Sequence, residues 1–128
     1  MGDLSEHFDS SEFACQCGCG YGTNPGDVDE RLIRILEDMR TWLQRPIVIT
    51  SGCRCRYHNG AVGGATFSRH VTGEAADLLV RGGRERHEMI LAATVTYGAE
   101  GIGIANNFFH IDVHHGTSDC PRPAAWSY

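Results

Sequence analysis

Lysine is absent from this 128-residue chain, so its eleven non-histidine cations are all arginines. They are outnumbered by sixteen acids, giving a formal net charge of -5 at pH 7. No basic run and no aromatic-interleaved arginine patch stands ready to hold phosphates, which excludes nucleic acid as a partner. Apolar runs are short as well. None approaches the roughly 20 residues that cross a bilayer, so no transmembrane segment is expected. The opening, Met1 to Phe8, is polar and acidic and lacks the cationic start and apolar core of a secretory signal.

What is present fits one domain, long enough to bury an ordinary core without staples. Sixteen glycines describe a loop-rich chain, which suits a short α+β domain whose site is built on connections. Phe8 and Phe13 are expected to anchor an N-terminal arm over the core. Gly18 to Gly26, with Pro25, reads as a loop. Asp27 looks like a helix N-cap with Glu30 completing a capping box. Val28, Leu32, Ile35, Leu36, Met39, Trp42 and Leu43 follow at helical spacing and define one apolar face. Pro46 ends that helix, and Ile47 to Thr50 reads as a buried strand. Ser51 to Phe67 reads as a long connection carrying Arg54, His58 and Asn59, of which His58 and Asn59 are expected to shape the loop. Arg84 to Tyr97 reads as a second helix with Met89, Ile90, Ala93 and Val95 or Tyr97 inward, Gly101 to Ile104 as a thin strand, and Asn106-Asn107 as the turn of a hairpin. Cys120 to Pro123 reads as an irregular tail.

The chemistry concentrates in Ser68-Arg69-His70-Val71-Thr72-Gly73-Glu74-Ala75-Ala76-Asp77. Gly73 permits a sharp turn, after which Glu74 to Val80 reads as a strand entering the core. Asp77 then lies among apolar neighbours, where an unpaired carboxylate costs several kcal/mol. It needs a cation, and His70 beside it points to a metal. In Phe108 to Val113, strand alternation sends Phe109, Ile111 and Val113 to one side and leaves His110, Asp112 and His114 on the other. His70, Asp77 and His110, with one position left for water, form the nitrogen and oxygen set that suits a catalytic zinc ion.

Six cysteines are more than a reducing compartment usually leaves in so short a chain. Cys15, Cys17 and Cys19 could build a structural metal site or tether a loop through disulfides. Their C-x-C-x-C spacing lacks the C-x-x-C pairs of zinc ribbons, which favours disulfides.

Ser68 to Asp77 resembles the S-x-H-x-x-G-x-A-x-D motif of the M15 zinc peptidases, the D-alanyl-D-alanine carboxypeptidase and peptidoglycan endopeptidase group that shares its fold with Hedgehog signalling domains. Ser51-Gly52-Cys53-Arg54-Cys55 with His58-Asn59 is similar to that family's S-G-Y-R-C-x-x-H-N, and Phe109 to Val113 is similar to its F-x-H-x-D-V segment. The resemblance runs from Leu4 to Trp126 with the motifs in order. It implies a small, mostly antiparallel sheet carrying the zinc site, packed with two main helices. It also implies hydrolysis of peptide bonds in bacterial cell-wall stem peptides, by endopeptidase or D,D-carboxypeptidase action. The alternative is a non-catalytic module that keeps the fold and the metal.

On that resemblance His70, Asp77 and His110 are the zinc ligands, Arg54 holds the oxyanion or a substrate carboxylate, and Ser68 supports the substrate side. Some members place an acid three residues before the last histidine, where this chain has Asn107. The general base is therefore sought in Asp112, with His114 or His115 as substitutes; the other role open to Asp112 is to orient a ligand imidazole. Cys53 stands where the family has Tyr, and with Cys120 it is expected to form a disulfide, Cys55 bonding to Cys15, Cys17 or Cys19. Ala125 replaces an Arg that often precedes the Trp126 position, and His114 another that follows the H-x-D-V segment. The implied partner is a peptidoglycan peptide, the implied assembly a monomer, and the implied location outside the cytoplasm or in a phage lysis or tail protein.

Overall fold

The computed structural model describes residues 2–96 and 98–128. In chain order it comprises a 3-10 turn at Ser10–Phe13, helix α1 (Glu30–Leu43), strand β1 (Ile49–Ser51), helix α2 (Arg56–Ala61), strand β2 (Ala75–Leu79), helix α3 (Gly83–Val95), and strands β3 (Gly101–Ile104), β4 (Phe108–Asp112) and β5 (Ala124–Ser127). The architecture is α+β, with one sheet ordered β1-β2-β4-β3-β5. Its strands run antiparallel except at the β3–β5 edge. The two main helices, α1 and α3, pack together, and α3 lies against β4.

The α1 face forms as its spacing dictates, with Leu32, Ile35, Leu36 and Met39 sealed in the core. Trp42, one turn on, is 45% exposed and lies off that face. The helix starts later than its sequence implies. Asp29 is the N-cap, accepting from the Arg31 backbone N–H at 2.9 Å. Asp27 accepts instead from the backbone of Gly22 at 2.8 Å and of Asn24 at 3.1 Å, so it shapes the preceding loop. At the other end Gln44 adopts the left-handed conformation (φ 55°), and Pro46 bars any continuation.

Phe8 and Phe13 are fully buried and meet edge to face, 6.2 Å between ring centroids. The arm carrying them is tied to α1 by Glu37, which accepts from Ser5 Oγ at 2.5 Å and from the His7 backbone at 2.8 Å. Burial alone would raise the Glu37 carboxyl, but these donors hold it below its ordinary value.

Besides the start of α1, four elements differ from the sequence reading. Strand β1 covers Ile49–Ser51 in place of Ile47 to Thr50, and Val48 is exposed. The connection after β1 contains the short helix α2, capped by Cys55. The tail forms β5, which adds a parallel edge to β3 with Gly103 opposite Trp126. Helix α3 spans Gly83–Val95, with Met89, Ala92 and Ala93 inward and Val95 exposed; Tyr97 lies outside the described residues.

Register is what positions the site. In the β2–β4 ladder Asp77 stands opposite His110, and Ala75 opposite Asp112. Leu78, Phe109 and Ile111 fill the core on one face, so the polar residues of both strands share the other. On β3, Gly101 leaves room for the Asp112 carboxylate and Gly103 for the tail. A Cβ at Gly101 would sit 2.2 Å from Asp112 Oδ2, and one at Gly103 would sit 2.8 Å from Trp126 Nε1.

Candidate metal centre

His70, Asp77 and His110 are all buried and converge on one point. Asp77 Oδ1 is 3.2 Å from His70 Nε2 and 3.2 Å from His110 Nδ1. The two imidazoles meet at 73°, with centroids 5.2 Å apart. Each ring is fixed from behind. His70 Nδ1 is 2.7 Å from the Gly52 carbonyl, which can only accept, so this nitrogen carries the proton and Nε2 keeps its lone pair. His110 Nε2 donates to Asp112 Oδ2 at 2.8 Å, which turns Nδ1 toward Asp77.

Three electron-pair donors thus face one another in a buried place, where only a cation relieves the repulsion. Nitrogen, nitrogen and carboxylate oxygen is a zinc-type donor set, and these residues fit that ion. Without an ion the protons redistribute. Burial opposes the charge on Asp77, yet the imidazoles of His110 and His70 hold its carboxyl well below the usual range. For His110, burial lowers the pKa, but the carboxylates of Asp112 and Asp77 outweigh it and the net shift is upward.

Arg54 enters from the loop after β1. Its Nη2 lies 3.4 Å from Asp77 Oδ2, Nη1 donates to Asn59 Oδ1 at 3.2 Å, and Nε to Ser51 Oγ at 3.2 Å. Asn59 is itself held by donating to the Ala65 carbonyl at 2.9 Å, so it shapes the loop and steers the arginine together. Ser68 Oγ accepts from the His70 backbone at 3.3 Å and fixes the turn that presents the ligand. Arg54, Ser68 and the triad line a cavity of about 860 Å³ whose wall also includes Phe67, Asp119, Arg122, Trp126 and Tyr128.

Asp112 is placed behind His110 and away from open cleft. It is fully buried, and both oxygens are taken: Arg122 donates Nε to Oδ1 at 3.0 Å and Nη2 to Oδ2 at 2.7 Å. Burial raises its carboxyl, but His110 and Arg122 outweigh that and hold it well below the ordinary range. His114 and His115 are not brought to the triad. The strand ends at Asp112, so His114 turns to Glu74 Oε2, 3.2 Å away, and His115 rests against Arg31. Asn107 sits in the β3–β4 turn, where its carbonyl accepts from the Val80 backbone.

Arg122, Trp126 and Asp119 are the site residues that sequence reasoning missed. Trp126 packs on the His110 ring at 5.2 Å, and the Arg122 guanidinium lies 5.2 Å from the Trp126 ring. The available signal was an arginine fixed between Pro121 and Pro123 in a chain whose usual arginines near the last motif are replaced.

The cysteines also depart from expectation. All six are free thiols, and no disulfide joins Cys53 to Cys120. Cys53 faces the Asp27 carbonyl at 3.8 Å, in the core beneath the arm, whereas Cys120 borders the cleft. Cys55 lies beside Cys15 and Cys17 without bonding to either: its sulfur is 3.7 Å from Cys17 Sγ.

No curated protein matches the chain. A family model described as Peptidase M15 matches residues 6–112, a span that contains the three converging side chains and Arg54 and stops short of Arg122 and Trp126. That match covers most of the chain and includes the whole His-Asp-His arrangement, so this protein belongs to the peptidase M15 family.

Proposed function

We propose that this protein is a zinc metallopeptidase that hydrolyses peptide bonds in peptidoglycan stem peptides, as an endopeptidase or a D,D-carboxypeptidase. The observation that carries the reading is the convergence of His70 Nε2, Asp77 Oδ1 and His110 Nδ1 at the wall of a cleft with Arg54 beside them. Bound there, zinc supplies Lewis acidity toward the scissile carbonyl and toward water. Around it, the protein's own groups divide the work. Gly52 and Asp112 hold the two imidazoles in the tautomers that present lone pairs to the site. Arg54 offers positive charge where the carbonyl oxygen becomes negative. Phe67, Trp126 and Tyr128 provide apolar walls against which a peptide excludes water.

Asp112 is assigned the orienting role, because both of its oxygens are occupied and it has no exposure through which to meet a water. The general base is assigned to Asp119. Apart from Asp77 it is the only carboxylate lining the cleft among the described residues, and it is exposed. It takes a proton from the attacking water and delivers it to the amine as the C–N bond breaks.

The test is incubation with purified peptidoglycan, with and without a chelator. New amino groups that appear only in the presence of metal support the peptidase. Pelleting with the wall and no new amino groups would replace it with a binding module of the same fold.

A further inference from the structure

Beyond the buried triad, the described residues hold one other group of metal-ligating side chains. Cys15, Cys17, Cys19 and Cys55 place their four sulfurs within 4.8 Å of one another. Cys15 Sγ is 3.5 Å from Cys17 Sγ, and Cys17 Sγ is 3.7 Å from Cys55 Sγ. A disulfide requires about 2.05 Å. A tetrahedron of sulfurs around zinc at about 2.3 Å has edges of about 3.8 Å, and the observed separations are close to that. The sulfurs gather about a common centre and are not sorted into two bonded pairs.

The local backbone explains how so tight a C-x-C-x-C run can contribute three sulfurs to one centre. Gly18 and Gly20 both take left-handed φ values, 84° and 92°. The Cys15 N–H donates to the Tyr21 carbonyl at 2.7 Å, and the Gly18 N–H to the Cys15 carbonyl at 3.1 Å. The segment therefore curls back on itself. Backbone N–H groups also face the sulfurs: the Cys55 N–H donates to Cys15 Sγ at 3.4 Å, and the His58 N–H to Cys55 Sγ at 3.3 Å. Such donors offset part of the negative charge that four thiolates leave around a divalent ion.

We propose that Cys15, Cys17, Cys19 and Cys55 form a structural site for a thiophilic divalent cation, zinc by its donor set, that fastens the N-terminal loop to the loop carrying Arg54. The donor count closes the coordination shell, so the site has no open position and performs no hydrolysis. On binding, each thiol gives up its proton to solvent and no electrons move. Cys55 follows Arg54 directly, and Gln16 donates to the Thr50 carbonyl at 2.8 Å, so the ion completes a tie already begun by hydrogen bonds. The site stands whether or not the triad is a peptidase centre.

The test uses the full chain refolded with zinc under reducing conditions, and its first readout requires no variant. Metal analysis of the wild type should give about two ions per chain, and His110→Ala should keep about one. Thiol titration should find the four clustered cysteines protected in zinc-loaded protein and released by chelator. Cobalt loaded into His110→Ala should show the intense sulfur-to-metal charge-transfer absorption of thiolate ligation. A Cys17→Ser, Cys19→Ser double variant should lose that band while keeping the ion at the triad. The proposal is overturned if these cysteines are joined as disulfides in protein isolated without reductant, as seen by peptide mapping. It is equally overturned if zinc leaves their reactivity unchanged, or if His110→Ala retains no metal. Failure of hydrolysis with both ions bound would count against the peptidase reading alone.

Discussion

Two carboxylates of this protein each face an arginine and a histidine, yet they have opposite characters. Asp112 is 0% exposed, and Arg122 grips it with two short bonds while His110 and the His114 backbone take what remains. Asp77 is 7% exposed, Arg54 approaches one of its oxygens no closer than 3.4 Å, and the other faces two imidazole nitrogens that bear lone pairs. The first is closed off by a fixed arginine and holds structure; the second, at the wall of a cleft, is shared between two imidazoles whose protons an ion can replace. The exchangeable partners of a buried acid, more than its burial, mark the site.

The largest expected effect comes from the member at the cleft. Asp77→Asn should abolish zinc binding at the triad and all hydrolysis while circular dichroism stays native, since the amide keeps the shape of the carboxylate but supplies no anionic ligand. Arg54→Ala should keep the metal and lower kcat about 100-fold to 1000-fold, the usual cost of losing one oxyanion donor. Asp119→Asn should also keep the metal and slow hydrolysis at least about 100-fold.

Asp112→Asn sharpens the contrast in the other direction. It should weaken zinc at the triad by about 10-fold to 100-fold, through the loosened His110 ring. It should also destabilise the protein by about 3 to 5 kcal/mol in denaturant, because the Arg122 guanidinium stays buried without its countercharge.

The smallest effect is a pH dependence whose sign changes with the ion. In metal-free protein the raised pKa of His110 contributes stability that is fully present below its ordinary 6.5 and is lost as pH rises through the higher folded value. Zinc competes with that same proton, so zinc-loaded protein should lose its metal-derived stability as pH falls through this range. Thermal unfolding of the two forms across that window should give slopes of opposite sign.

Much of this was legible in the chain. Alternation in Phe109 to Val113 set the register of β4, and the apolar spacing of α1 identified its buried face. The triad was legible because a charged Asp amid Ala, Ala, Leu and Leu has few physical justifications. Other parts depended on groups distant in sequence. The start of α1 was misplaced because Asp27 and Asp29 are equally good caps, and only the Gly22 and Asn24 backbone shows which one is already engaged. Strand β5 has no apolar alternation in Ala124-Ala125-Trp126-Ser127; backbone pairing with a glycine-rich partner makes it. The continuation of the His110 face to His114 failed because the strand stops at Asp112. Cys55 was expected beside Cys15, Cys17 and Cys19, but spacing alone does not show that the four sulfurs gather within 4.8 Å as free thiols.

The most direct test of the central claim is mass spectrometry of peptidoglycan stem peptides after digestion by zinc-loaded protein, beside Asp77→Asn. The wild type should release fragments cut at a single kind of peptide bond, with chelation stopping release, zinc restoring it, and the variant producing none. Undigested stem peptides with the zinc-loaded wild type, or equal digestion by wild type and Asp77→Asn, would contradict the assignment of this site as a hydrolytic metal centre.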